Sequence, residues 1–593
     1  MIERNGNMLN RVTSESVETA ANFVPIIDEE VIYHDGEESK TKVRIHIESD
    51  AIKNSKSIVI GIEELASSKW ASENYGAKAI IFPNSSNAPE IAAWAKLEFA
   101  AKDEAKTTDI YTHTGWTKID GKEVFLTNNG AIAENGIDDT INVQLPRELS
   151  RYKAMGNCKK EDIMMFLKLY KLGKKEVMFT LVAAALRAVM RPSDFAIHLA
   201  GKTGGFKTEI SSLILSIYGA EMTSRQMTAS WSSTGNALEA LCYQAKDVPI
   251  VIDDYVPVGS QYQRKALDAK VDQVIRAQGN AAGRSRMAAD STMQGTKYPR
   301  GVVISTGEDI PEGHSCRSRM IIVETEPRTV DKAILTELQN NRDKLNAVGT
   351  EFIRWLAEHP GYRQAGEIYD LKMRQYTEKG HARTATNLAN LHDATERLCR
   401  FLLAKGIDRP IVDWIARNAD TTFEEVALQQ IEHTEEMQPE KLFTFAVQTG
   451  LSKKTLCLKN INDGVPPNAA RYGWRIDGDI GGMPNFVAAK EQIGWIDEKA
   501  NEVYIDPMMF REINRAGGGR LAIGDETLKK RLSEAGMISR RDAAGERLTI
   551  RKTLGGMVRA VMCLKAYGQF SVFGEQEEEK EGEGEGQTPP EGF

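Results

Sequence analysis

Residues 201 to 208 read Gly201, Lys202, Thr203, Gly204, Gly205, Phe206, Lys207, Thr208, a short stretch that combines glycines, an ammonium and a hydroxyl. Such a set can hold a polyphosphate. Backbone N–H groups converge on the phosphate oxygens at a helix N-terminus, the lysine meets the β and γ phosphates, and the threonine hydroxyl serves Mg2+. The common form of this loop has glycine before the lysine, where Phe206 stands here. A side chain is tolerable at that point if φ is negative. The bland alternative is a glycine-rich turn between strand and helix.

About forty-five residues further on, "VPIVIDDY" is an apolar run ending in Asp253 and Asp254. At that place ATPases with such a loop carry the acid that holds the metal, here Asp253, and the acid that orients the attacking water, here Asp254. A third run, "GVVISTGED", ends in Thr306 and Glu308. Either is a candidate for the polar group facing the γ-phosphate, because a one-residue register decides which points inward. Arg317 and Arg319 in "HSCRSRMIIVE" stand just before another apolar run. A guanidinium supplied by a neighbouring copy stabilises the charge of a phosphoryl group in transfer, which implies a ring or filament.

Placing these groups together takes a parallel sheet with helices on its faces. "FAIHLAG", "VPIVIDD" and "GVVIST" predict its strands, and Lys207 to Tyr218, "GNALEALCYQAK" and "QRKALDAKVDQVIRAQ" predict the covering helices. Around this core the chain divides into a polar, loose stretch (1–22), a mixed and β-rich domain (23–150), the ATPase core (151–330) and a helical lid (331–436). A C-terminal domain follows (437–573), then an acidic tail (574–593). In the β-rich domain "KVRIHIE", "SIVIGI" and "AKAIIF" read as strands, and "IYTHTGW" and "KEVFLTNNGAI" flank a turn at Asp120-Gly121. "MFTLVAAALRAVM" reads as a buried helix ended by Pro192, too short to span a bilayer. The C-terminal domain begins with an irregular stretch and closes with a helix, "DETLKKRLSEAG". The strands "MISRR" and "ERLTIRK" are then expected to pair across "DAAG", in the outline of a winged helix.

The order of motifs, with Ser318-Arg319 before a strand, resembles the AAA+ module of MCM-like replicative helicases. "YTHTGWTKIDGKEVFLTNNGAI", "WSSTGNALEAL" and "STGE" are similar to an uncharacterised ATPase family of prophages, plasmids and integrative elements, often labelled phage primase or helicase. The MCM-like helicases of cassette chromosomes are relatives of that family. The similarity spans about 108–330, and 485–570 more loosely; 1–105 are not covered. It implies a homo-hexamer of ATP- and Mg2+-dependent subunits around a DNA channel, with ATP between neighbours and Arg319 acting in trans. It also implies a channel hairpin before the third strand, matched by 277–301. There "GRSRMAAD" and "TKYPR" would pair across "STMQG", with Arg284, Arg286, Lys297 and Arg300 on DNA phosphates. Arg383 is either a second nucleotide-sensing arginine or an ordinary helix-surface residue. Lys529, Lys530 and Arg540 of the winged helix serve duplex DNA or a protein contact.

The formal charge of -8 arises from 76 basic and 84 acidic residues. The tail holds eight Glu and one Lys, leaving 75 basic against 76 acidic elsewhere, so the body is near neutral and charge does not exclude nucleic acid. The tail is expected to be solvating; its terminal Phe593 also gives it a likeness to the acidic tips of single-strand-binding proteins. Six scattered cysteines form no C-x-x-C pair, which predicts a cytoplasmic protein without zinc or disulfides, and no apolar leader or membrane segment is read. The resulting expectation is a DNA helicase or translocase replicating a mobile element, working with single-stranded or forked DNA and with element-encoded primase or single-strand-binding partners. An ATP-switched initiator or helicase loader is the alternative. A primase activity is disfavoured, since residues 1–150 carry no zinc-ligand cluster and no clear acidic triad.

Overall fold

The computed structural model describes residues 1–574 except 103–104, 284–285, 288–292, 379–381, 481–482, 522, 543–544 and 570. The acidic tail beyond 574 thus lies outside the described residues. The chain forms two compact units, one of Met1–Pro311 with Ser318–Gln430, the other of Glu312–Arg317 with the chain from Ile431 onward.

At the centre of the first unit is a parallel sheet of β1 (Ala196–Ala200), β2 (Ala229–Ser230), β3 (Pro249–Tyr255), β4 (Val302–Gly307) and β5 (Met320–Glu324). The spatial order is β2-β3-β4-β1-β5, every neighbouring pair parallel. β1 and β4 are buried throughout and β3 and β5 over most of their length, as strands covered on both faces require, with the polar His198, Ser305 and Thr306 among the buried residues. The expected helices appear as α1 (Lys207–Leu215), α2 (Gly235–Gln244) and α3 (Gln261–Asn280). The predicted buried helix is Lys175–Ala188, and the 331–436 region is helical, including Ala382–Ala404 and Arg409–Glu435. Among the described residues no helix is long and apolar enough to cross a membrane.

Residues 1–22 are not loose. Ile2–Asn5, Met8–Val12 and Val17–Ala21 form a three-stranded antiparallel sheet that buries Ile2, Leu9, Ala20 and Ala21 against Phe23 and Trp70. Its exposed face is polar, which gave the segment its unstructured look. "AKAIIF" is not a strand either. Only Ile81 bridges Ala21, while the Asn22 side chain holds the segment by accepting from the Ile80 N–H and donating to Lys78 O. The Asp120-Gly121 turn forms as expected, with both φ angles positive (50° and 78°), joining Gly115–Ile119 to Lys122–Thr127.

In the second unit the "irregular" stretch is ordered. Helix Pro439–Ser452 is followed by Leu456–Asn460, Glu491–Asp497 and Glu502–Ile505, which join Met557–Lys565 and Ile538–Arg540 in one sheet. The helix Asp525–Glu534 stands where the sequence placed it. The hairpin does not. Ile550–Leu554 pairs with Met557–Lys565 across Gly555-Gly556, and Ile538–Arg540 pairs with the far end of Met557–Lys565. Gly555 and Gly556 have φ of 57° and 76°, the two positive values that a tight hairpin turn needs.

Two histidines of the first unit are buried neutral. Burial pushes the His113 pKa down to about 4 and that of His392 to about 3, against 6.5 in an exposed ring. Their folded pKa values lie below the unfolded one, so the unfolded chain binds more protons below pH 6.5 and stability falls as pH drops from there towards 4. By pH 5.5 the two together cost about 3 kcal/mol, one pKa unit each at roughly 1.4 kcal/mol. The urea midpoint is therefore expected to fall between pH 7.5 and 5.5, and to fall less in a His113→Gln/His392→Gln double variant. A midpoint indifferent to pH over that range would contradict the neutral burial.

Candidate nucleotide-binding site

The loop 201–206 leaves β1 at its C-terminal end and enters α1, so the loop N–H groups face the open end of the sheet beside β3 and β4, where open α/β sheets take ligands. Gly201 is required by close approach. A Cβ there would lie 2.5 Å from Thr325 O. Phe206 contradicts the sequence expectation of negative φ: it caps α1 at φ 58°, ψ 19°, in the left-handed region. The steric cost for a residue with a Cβ is about 1–2 kcal/mol, so the 201–206 loop holds local strain at its helix junction.

Lys207 Nζ donates to Gly201 O (2.6 Å) and Lys202 O (3.2 Å), folding the ammonium back over the loop. Thr208 Oγ1 lies 3.3 Å from both Asp253 carboxylate oxygens, and Thr306 Oγ1 donates to Asp253 Oδ1. Both candidates border the cleft, and of the two Thr306 is buried and faces Asp253. Glu308 lines the same cleft from the other side, its Oε1 accepting from Thr203 Oγ1. Asp254 is exposed and has φ 69°. The cleft between these groups measures about 700 Å³, open solvent included.

A carboxylate with two hydroxyls converging on it beside a lysine-bearing anion loop is the donor set that a Mg2+–triphosphate pair requires, so the residues fit that group. Sequence reasoning missed the polar chain beneath them. Trp231 N–H donates to Asp253 O (3.0 Å), and its indole N–H donates to Ser305 Oγ (3.0 Å). Ser305 Oγ meets His198 Nδ1 (3.0 Å), whose Nε2 donates to Asp309 O (2.9 Å). All three side chains are fully buried, and they tie the strands that carry the loop, Asp253 and Thr306. The available signal was a polar residue inside each of two otherwise apolar strands.

Arg319 precedes β5, and its backbone O accepts from Ala196 N at the start of β1. Five strand residues, about 16 Å at 3.3 Å each, separate it from the loop end of the sheet. It cannot reach the loop of its own chain. Its Nη2 donates to Asn280 Oδ1 (3.2 Å). Arg317, of the second unit, is buried there and donates to His433 O (2.9 Å). Arg383 is exposed on helix Ala382–Ala404.

The expected DNA contacts are not all where the sequence put them. Arg284 lies outside the described residues. Arg286 opens a two-residue strand, Arg286–Met287, that pairs with Met293–Gln294 and not with "TKYPR". Lys297 is exposed, its Nζ 5.7 Å from the Tyr243 ring centroid. Arg300 is not a surface cation. It is buried, stacks on Tyr243 at 3.6 Å, and donates to Tyr243 O (2.7 Å) and Asp35 O (2.8 Å), clamping an N-terminal loop to the root of the hairpin. In the second unit Lys529 pairs with Glu526 (2.7 Å) and Lys530 is exposed. Arg540 binds the buried Glu502 (2.5 Å), whose carboxyl is held below its usual range by hydrogen bonds from Tyr504, Ser539 and Arg540 against the opposing effect of burial.

Residues 80–297 match a domain family of unknown function, DUF927. No curated protein matches the chain. Among solved structures, it is similar to that described as SCCmec type IV Cch, an active helicase, at TM-score 0.54 and 14% identity, over 95% of this chain and 97% of that one. A second, the A-form apo structure of the NrS-1 C-terminal region, gives TM-score 0.27 and 12% identity over 68% of this chain and 87% of that one. The first likeness establishes a shared multidomain α/β fold that reaches well beyond the motif-bearing residues.

Proposed function

We propose that the protein is an ATP-dependent DNA helicase or translocase for the replication of a mobile element, acting as a ring of six copies. The observation that carries the reading is a separation: the glycine- and lysine-bearing loop lies at one end of the sheet and Arg319 at the other, which supports a site shared between copies. Such a chain completes its site with a neighbour's arginine. The shared fold with a structure described as an active helicase supports the same reading.

In this mechanism the loop N–H groups and Lys207 take the phosphates of ATP, and Lys207 leaves the carbonyls of Gly201 and Lys202 to do so. Thr208 and Asp253 would hold the metal, which would supply positive charge against the phosphates. Thr306 reports on Asp253 through its hydroxyl. Arg319 of the adjacent copy meets the charge that develops on the transferred group. The paired strands Arg286–Met287 and Met293–Gln294, with Lys297, face DNA.

The direct test is displacement of a labelled strand from a forked duplex. The unaltered chain is expected to displace it with ATP and not with a non-hydrolysable analogue, and Lys207→Ala is expected to lower DNA-stimulated hydrolysis about 100-fold or more, as loss of a phosphate-binding cation does. ATP-dependent assembly on DNA with slow hydrolysis and no displacement would identify an initiator or loader instead.

A further inference from the structure

Two carboxylates, Asp254 and Glu308, line the cleft, and the backbone treats them differently. In the β3–β4 pairing Ile252 stands opposite Ser305 and Tyr255 opposite Gly307, so Asp253 and Asp254 together face the single residue Thr306. This is a β-bulge, and such a bulge re-aims the side chains around it. Asp253 is turned onto Thr208 and Thr306, while Asp254 takes a left-handed φ of 69° and donates its backbone N–H to Thr306 Oγ1 (3.2 Å). Glu308 is fixed by its own N–H on Tyr255 O (3.2 Å), and its carboxylate lies against the phosphate loop at Thr203 Oγ1. The lysine ammonium that meets the terminal phosphates rests on Lys202 O, the residue next to Thr203. A line of contacts therefore runs from Lys207 through residues 202 and 203 to Glu308.

We infer that Glu308, and not Asp254, is the general base that orients and deprotonates the attacking water. The inference rests on the nucleotide-site reading above. A base must lie within hydrogen-bond reach of the proton that it takes, and the longer glutamate is the one held over the loop. In the step, the water oxygen bonds to the γ-phosphorus while the bond from that phosphorus to the bridging oxygen breaks, and ADP leaves with the electron pair. One water proton passes to the Glu308 carboxylate and from there to the phosphate product. Before ATP binds, the same carboxylate is parked on Thr203.

The experiment compares Glu308→Gln, Glu308→Asp and Asp254→Asn in the full chain for turnover at saturating ATP, binding of a fluorescent ATP analogue, and the pH dependence of kcat. Glu308→Gln is expected to lower kcat about 100-fold or more with binding within roughly threefold and no acid limb in the residual rate, the loss typical of a removed general base. Glu308→Asp should fall between it and the unaltered chain, and Asp254→Asn should lose about tenfold or less. Hydrolysis that survives Glu308→Gln with an unchanged pH profile overturns the assignment alone, as does an Asp254→Asn variant as crippled as Glu308→Gln. An unaltered chain that binds the analogue and hydrolyses no ATP, or one whose binding is indifferent to Lys207→Ala, overturns the nucleotide-site reading and this assignment with it.

Discussion

Mixed one to one, Lys207→Ala and Arg319→Ala chains are expected to hydrolyse ATP at about a quarter of the unaltered rate, although each alone is nearly inactive. An interface works when the copy that holds the nucleotide keeps Lys207 and the copy beside it keeps Arg319. With random placement, each condition holds at about half of the positions, and their product is about one quarter. Each parent should be far lower: an arginine supplied to a phosphoryl transfer contributes about 10³–10⁵ in rate. Arg319→Lys should not restore the activity, because an ammonium cannot reproduce the planar fork. The physical basis is the place of Arg319 before β5, with Ala196 N bonded to its carbonyl at the end of the sheet away from the loop. Measuring hydrolysis across mixing ratios is decisive, since a trans site gives a maximum near equal mixing. A rate that only interpolates between the two parents would show that no active site is shared.

The core of the candidate site was legible in the sequence because its parts are local. An apolar strand, a run of glycines and an amphipathic helix need only sequence neighbours to declare themselves, and β1, the loop and α1 lie where those signals put them. What stayed hidden was either conformational or remote. Nothing in the letters around Phe206 tells that its φ is 58°; a glycine there would have advertised the positive value. Arg300 was grouped with its basic neighbours in sequence, but the groups that bury it are Tyr243 and the Asp35 carbonyl, 57 and 265 residues away. Residues 1–22 failed for another reason: each short strand buries one face only, so average polarity concealed a packed sheet. The C-terminal hairpin had two competing turn signals, "DAAG" and Gly555-Gly556, and the pair able to take two positive φ angles won.

The same distance effect hid the surroundings of Asp393 in the first unit. The sequence shows it as one acid on a helix. In the fold it is fully buried, accepting from Arg191 Nη1 (2.8 Å) and Gly366 N–H (3.3 Å), with Arg397 Nη2 at 3.3 Å. Arg187 stands next to this group, bonded to Asn390 Oδ1 (2.7 Å), and burial followed by repulsion from Arg191 lowers its pKa to about 9. One carboxylate thus offsets several guanidinium charges between helices Lys175–Ala188 and Ala382–Ala404, at the back of the sheet that carries the 201–206 loop. Removing it leaves buried positive charge without a partner, which costs about 3–5 kcal/mol, whereas an exposed ion pair contributes about 1 kcal/mol or less. Asp393→Ala is therefore expected to lower the thermal midpoint by many degrees, and Asp393→Asn, which keeps the shape and loses the charge, to lower it nearly as far. Asp413→Ala, at an exposed pair with Arg409 on a neighbouring helix, should move it little. Thermal unfolding followed by circular dichroism distinguishes the cases: equal small shifts for Asp393→Ala and Asp413→Ala would mean that the arginine cluster does not depend on the buried carboxylate.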